Sequence, residues 1–204
     1  SLPTTAYSQD EIEEAFSALS EGNNIGKVVI SFDNDSFAQP MNLDIKPEQA
    51  VLITGGLGAL GIKTANWIAR LGTKKIVLMG RREVGPSELV KIKKEIGGSD
   101  VQVHTVCGDV SNEQDVVRVL ADIQANIAPL GGIVHAAGVI ADGSITLLSW
   151  DNFESVFQAK VYGSWLLNKY TQSIDTLAFF VSYSSVASML GSAMQANYAA
   201  ANAY

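Results

Sequence analysis

Tyr198 and Asn202 stand four residues apart in the run Asn197-Tyr-Ala-Ala-Ala-Asn202, whose alanines favour a helix with both polar groups on one face. Upstream, Phe180-Val-Ser-Tyr-Ser-Ser185 reads as a strand entering a loop of small residues, with the hydroxyls of Ser184 and Ser185 at its end. A phenol near a serine hydroxyl suits the reduction of a carbonyl by hydride. That step creates an alkoxide, so it needs a proton donor and a group that polarises the carbonyl oxygen. Tyrosine is a weak acid with a pKa of about 10. A neighbouring ammonium stabilises its phenolate and brings proton transfer within reach of neutral pH. Taken singly, Tyr198 reads equally well as an amphipathic core residue.

A hydride donor needs its own site, and a second pattern offers one. Ala50-Val-Leu-Ile-Thr54 runs directly into Gly55-Gly56-Leu57-Gly58-Ala59-Leu60-Gly61, and a helix follows. Gly56, Gly58 and Gly61 satisfy G-x-G-x-x-G in strand–turn–helix context. Such a turn lets backbone approach a pyrophosphate that sits at the positive end of the helix. The alternative is a glycine turn that serves packing alone. The next strand ends Leu78-Met79-Gly80-Arg81-Arg82, where an NAD site would place a carboxylate for the ribose. Two guanidinium groups suit a 2′-phosphate instead, which predicts NADPH. They can also be solvated surface arginines, partly neutralised by Glu83. In Cys107-Gly108-Asp109-Val110, Asp109 either accepts from the adenine amino group or helps begin the next helix. His135-Ala136-Ala137-Gly138 offers small residues beside a nicotinamide ribose, with His135 itself read as a packed or surface histidine rather than a base.

The elements that must position these residues show in the hydrophobic pattern. Strands are expected at Ala50–Thr54, Lys75–Met79, Val101–Cys107, Gly132–Ala136 and Leu177–Ser182. Helices are expected at about 59–71, 87–96, 112–127 and 150–172, with Ser111 and Ser149 as N-caps and Gly72, Gly97 and Gly98 as stops. Continuous apolar strands alternating with helices indicate an α/β parallel sheet covered on both faces. Ahead of it, residues 8–22 suggest a helix capped by Ser8 and closed by Gly22, with Ile12, Phe16 and Leu19 on one apolar face. A strand Lys27–Phe32 follows, and residues 33–48 read as a linker.

With 47% hydrophobic and 17% charged residues, 204 residues can bury a core. The net charge of −7 opposes nucleic acid and anionic membranes, so any phosphate ligand must be held by a local site. Cys107 is the single cysteine, which suits a reducing compartment, and no signal-like or membrane-spanning run is present. A cytoplasmic location is the expectation, and no metal is expected.

Six motifs in order then carry a resemblance: Thr54-Gly-Gly-Leu-Gly-Ala-Leu-Gly61, Gly80-Arg81-Arg82, His135-Ala-Ala-Gly138, Ala159-Lys160-Val-Tyr-Gly163, Ser184-Ser185-Val-Ala187 and Gln195-Ala-Asn-Tyr-Ala-Ala-Ala-Asn202. Over residues 49–204 the sequence resembles the ketoreductase domains of polyketide and fatty-acid synthases, a branch of the short-chain dehydrogenase/reductase superfamily. The resemblance implies a Rossmann-like doubly wound parallel sheet that binds NADPH through Thr54, Gly55, Gly56, Leu57, Gly58, Leu60, Gly61, Arg81, Arg82, Asp109, Val110, Ala136, Ala137 and Gly138. Ordinary members carry Tyr-x-x-x-Lys; here it is Tyr-x-x-x-Asn, and the family's synthase branch supplies its lysine from an earlier helix, where Lys160 matches. By that resemblance Tyr198 donates the proton and Ser185, rather than Ser184, binds the ketone oxygen. Lys160 lowers the tyrosine pKa and contacts the ribose, and Asn202 orients the group and relays protons.

The substrate so implied is a β-ketoacyl thioester on the phosphopantetheine of an acyl carrier protein. Asp142 in Ile140-Ala-Asp142, and Leu190 in place of tryptophan, lean toward a 3R product. Ala59 replaces a glycine common in the family's turn. Residues 1–33 resemble the C-terminal tail of an enoyl-reductase domain, which makes enoyl reductase and dehydratase the neighbouring partners. The sequence stops two residues after Asn202, so the resemblance also implies a domain incomplete at its C-terminus, whose fraying could loosen Tyr198. The other readings are a non-catalytic scaffold piece of a synthase and a free-standing NADP-dependent alcohol dehydrogenase.

Overall fold

The computed structural model describes residues 3–22, 25–31, 44–97 and 100–204, in two units, Ser1–Met41 and Asn42–Tyr204. In the first unit, strand β1 (Thr4–Ser8) pairs in parallel with β2 (Lys27–Ser31), Thr4 opposite Lys27 and Ser8 opposite Ser31. Helix α1 (Ile12–Ser20) connects them after a 3-10 turn at Gln9–Glu11. Strand β1 was not expected: Thr-Thr-Ala-Tyr-Ser has no apolar run, and pairing with β2 defines it. The expected helix therefore begins later, although Ser8 does stand at its entrance, donating from its N–H and its hydroxyl to the Glu11 carboxylate at 2.8 Å each. Ile12, Phe16 and Leu19 share a face as expected, but they are exposed, and only Ala15 of this helix is buried. Phe32 and most of the expected linker lie outside the described residues.

In the second unit five strands alternate with helices: β3 (Ala50–Thr54), α2 (Ala59–Arg70), β4 (Lys75–Gly80), α3 (Pro86–Ile96), β5 (Gln102–Cys107), α4 (Glu113–Asp122) and β6 (Leu130–His135). There follow α5 (Trp150–Phe157), α6 (Gly163–Thr171), β7 (Phe179–Ser182), α7 (Ala187–Leu190) and α8 (Ala196–Ala203). The strands are all parallel, in the order β5-β4-β3-β6-β7. This is the doubly wound arrangement, with its switch in direction between β3 and β6.

Alternation along the central strands divides the core. Ala50, Leu52, Val77 and Met79 face α4 and α6, packing on Val116, Val119, Leu166 and Leu167. Val51, Ile53, Ile76 and Leu78 face α2 and α3, packing on Ile62, Ile68, Ile92 and Ile96. Each such side chain contributes at most about 1.5–3 kcal/mol by leaving water. Both faces are covered, which is why these strands read as unbroken apolar runs.

Two helical expectations need correction. Asn112, not Ser111, caps α4: its side chain accepts from the Asp115 N–H, whereas Ser111 bonds Asp109. Ser149 does cap α5. The helix expected at 150–172 is interrupted by a π-helical stretch, Gln158–Tyr162, between α5 and α6, and α4 likewise ends in a π turn at Ile123–Ile127.

Candidate active site

The functional residues gather at the carboxyl ends of the parallel strands, where such sheets leave a crevice. The turn after β3 is shaped by contact. Gly55 has φ +65°, and a Cβ there would lie 2.7 Å from the Ala137 nitrogen on the turn after β6. Gly61 is buried in α2, where a Cβ would meet the Gly55 oxygen at 2.5 Å. The buried Gly56 donates its N–H to the Met79 oxygen at 3.1 Å and so ties the turn to β4. Gly58 caps α2 and stays exposed.

These turns enclose a cleft of about 690 Å³. Of the expected cofactor residues, Thr54, Gly55, Leu57, Gly58, Arg81, Arg82, Asp109, Val110, Ala136, Ala137 and Gly138 line it. Gly56, Leu60 and Gly61 do not: the two glycines serve the packing under the turn, and Leu60 points to solvent. Met79, Gly80, Gly108 and Ser111 also line the cleft, and so do Val139, Ser155, Gln158 and Ala159, which were missed since nothing in their side chains marks them.

Electrostatics separate the two arginines. Arg82 is gripped by Glu88, an ion pair that pushes the carboxyl down and the guanidinium up, with the Glu83 carbonyl accepting a further bond at 3.3 Å. The neutralising partner is thus Glu88 and not the Glu83 carboxylate. Arg81 forms no ion pair with the described residues and faces the cleft. Asp109 accepts from the Ser111 N–H and hydroxyl at 2.9 and 2.7 Å, which is the helix-starting role; it also lines the cleft. The Thr54 hydroxyl is 2.6 Å from Nδ1 of the buried His135. Burial, with the Lys160 charge nearby, depresses that imidazole to a pKa of about 4, so it is neutral packing rather than a base.

The reactive side chains come from three elements. Lys160 is buried in the π-helical stretch, and Nζ donates to the Tyr183 oxygen just past β7 at 2.6 Å. A Cβ on Gly138 would lie 3.0 Å from its Cε, so Gly138 makes room for the lysine stem as well as lining the cleft. Burial holds the ammonium pKa below its usual value. Helix α8, which carries Tyr198 and Asn202, packs on α5, α7 and the 158–162 stretch. Ser184 donates to the Asn202 oxygen at 2.7 Å and is thereby occupied in holding α8. Among the described residues Ser185 Oγ only accepts, from the Ala187 N–H at 3.2 Å, which leaves its proton without an acceptor there. Asn202 Nδ2 donates to the Tyr198 oxygen at 2.8 Å, and its buried Oδ1 has no partner among the described residues. No hydrogen bond joins the Tyr198 phenol, Ser185 Oγ and Lys160 Nζ to one another. Asp142 accepts from Gln195, and Leu190 is exposed at the end of α7.

The model of one protein family, the KR domain, matches residues 49–204. The chain belongs to the KR family. Curated relatives of this KR chain are polyketide synthases. It is 31% identical to the compactin diketide synthase mlcB of Penicillium citrinum over 99% of its length, and 35% identical to the spectinabilin polyketide synthase system protein NorB of Streptomyces orinoci over 100%. It spans only 8% and 9% of those two proteins. Among solved structures, an N-terminal ketoreductase from the macrolactin assembly line superposes with a TM-score of 0.72 at 31% identity, covering 78% of this chain and 32% of that one. KR-family domains bind nicotinamide cofactors. No helix among the described residues is long and apolar enough to cross a membrane.

Proposed function

We propose that this chain carries the ketoreductase site of a polyketide synthase, reducing a β-ketoacyl thioester borne by an acyl carrier protein to the β-hydroxyacyl thioester, with NADPH as reductant. The observation that carries this reading is the buried Lys160 ammonium, whose stem lies behind the cleft-lining Gly138, in the helical stretch on which the Tyr198 helix packs. A buried ammonium without a carboxylate costs folding energy. It is explained by a developing phenolate that it would stabilise.

The cleft fits a dinucleotide. The turn at Gly55–Gly58 offers the amino end of α2 to a pyrophosphate, and Arg81, which has no ion pair among the described residues, offers its guanidinium to a 2′-phosphate. Ala136, Ala137 and Gly138 leave space beside Lys160. Bound there, NADPH would supply hydride to the ketone carbon. Ser185 then donates its O–H to the carbonyl oxygen, where negative charge develops. Tyr198 gives its phenolic proton to the resulting alkoxide. Lys160 holds the phenolate, and Asn202, with its buried unpaired Oδ1, supports the return of a proton.

The lowered Lys160 pKa sets a sign: activity falls on the alkaline side as the ammonium deprotonates, earlier than for an ordinary lysine. Residues 1–33 are read as the tail of an enoyl-reductase domain that neighbours the site in sequence, with a dehydratase among its companions. Asp142 and Leu190 lean toward a 3R alcohol. The deciding assay is NADPH oxidation with a β-ketoacyl thioester and chiral analysis of the product. Tyr198→Phe should abolish turnover while NADPH still binds. A fully active variant overturns the proton-donor role, and a mainly 3S product overturns the stereochemical lean.

A further inference from the structure

Tyr183 is the first residue past β7, whose last ladder pair sets Ser182 opposite His135. Three bonds hold it. Its N–H donates to the His135 oxygen at 3.0 Å, its carbonyl accepts from Lys160 Nζ at 2.6 Å, and its phenol meets the Thr64 hydroxyl at 2.5 Å. Thr64 is buried in α2 and gives its own proton to the Leu60 oxygen at 2.8 Å, so the phenol is the donor in that pair. Through Thr64 the phenol is thus tied to the first turn of α2, whose amino end borders the cleft at Gly58.

The physical need lies at Lys160. An ammonium taken out of water without a carboxylate depends on its hydrogen bonds. The Tyr183 carbonyl is the one partner that Nζ has among the described residues. The elements packed on the Lys160 stretch are α5, α6 and α8. Of their ionisable groups, Asp151, Glu154, Lys169, Tyr170 and Tyr198, none bonds Nζ, and burial alone lowers the lysine pKa. His135, from β6, is neutral near pH 7. The carbonyl that holds the charge stands beyond the last ladder pair, so the sheet does not set its direction. The Tyr183 side chain, carried on the same residue and bonded to α2, supplies that restraint.

We infer that Tyr183 is a positioning residue that moors the carbonyl holding the Lys160 ammonium to helix α2, and so keeps that charge in place for the Tyr198 phenolate. The part that Lys160 plays in the reaction rests on the ketoreductase reading above. A loosened acceptor disfavours the charged form, so without the mooring Lys160 loses its proton at lower pH.

The test uses this chain with Tyr183→Phe, Thr64→Val and the two together beside the wild type. Each single variant keeps the shape of its side chain and removes the bond from one end, so either can decide if the other folds poorly. The Nζ resonance of Lys160, assigned with Lys160→Met, is titrated in the cofactor-free protein. The alkaline limb of kcat is measured with NADPH and a β-ketoacyl thioester. Expected in both single variants is a midpoint lower by about 0.5–1 pH unit in both measurements. At neutral pH kcat should fall about three- to tenfold, with the KM for the ketone within about twofold of wild type. The double variant should move no further than either single one, because both remove the same bond. A residue that only packs would reduce the number of folded molecules yet leave the midpoint and the rate per NADPH-binding molecule unchanged, and that result overturns the inference. So does a double variant whose shift is the sum of the two single ones. A wild type that reduces no β-ketoacyl thioester overturns the function, and the Lys160 titration then still decides for or against the mooring.

Discussion

His135 shows how one buried side chain makes stability depend on pH. Its imidazole, bonded to the Thr54 hydroxyl and overlooked by the Lys160 charge, is depressed from 6.5 to about 4. The folded state therefore resists protonation that the unfolded chain accepts. This group's contribution is complete above pH 6.5 and is lost as the pH falls from there toward 4. Between pH 7 and 5 the loss is about 2 kcal/mol, at about 1.4 kcal/mol per unit. The carboxylates held low by their partners, Glu88, Glu113 and Asp115, titrate below that window. His104, depressed by burial and by Lys93 and Lys75, adds a slope of the same sign. Urea unfolding at the two pH values should show the wild type losing stability and His135→Gln losing less. Equal losses in both would disprove the assignment.

At the scale of elements, the turn after β3 works through close approach, and two glycines separate that effect from backbone strain. Gly72, after α2, has φ +102° and no atom within 4 Å of where a Cβ would lie, so alanine there meets strain alone, about 1–3 kcal/mol. Gly55 has φ +65° and also the Ala136–Ala137 backbone within 2.8 Å. Gly55→Ala should therefore destabilise more than Gly72→Ala in urea unfolding and also weaken NADPH binding, which Gly72→Ala should spare. Equal NADPH affinity in the two variants would remove the close-approach argument. This turn was readable because its glycines are local, as were the five strands. The π stretch at Gln158–Tyr162 was not, because one inserted residue hardly disturbs an apolar period. The bond of Tyr183 to Thr64 was also hidden, since the two are 119 residues apart. Glu88 escaped notice beside Arg82 for the opposite reason: the nearer Glu83 looked sufficient, and only the start of α3 brings Glu88 around.

At the scale of the whole molecule, the chain's net charge of −7 opposes a phosphate-rich ligand, so in the proposed function affinity is assigned to the amino end of α2 and Arg81. All of these groups belong to the unit Asn42–Tyr204. So do both apolar clusters of the core, whose members run from Ile45 to Tyr183. In the unit Ser1–Met41, by contrast, Ala15 is the only buried apolar side chain among the described residues. Cofactor binding and the sheet therefore draw on one unit, and a polypeptide beginning at Asn42 should bind NADPH with a dissociation constant within about twofold of the longer chain, as a twofold change is only about 0.4 kcal/mol. Fluorescence titration of both forms, at two salt concentrations, measures this directly. Added salt should weaken both forms alike, because the groups that hold the phosphates are common to them. A loss beyond tenfold on removing residues 1–41 would show that the first unit contributes to the site, and the division of labour argued from the core would then be wrong.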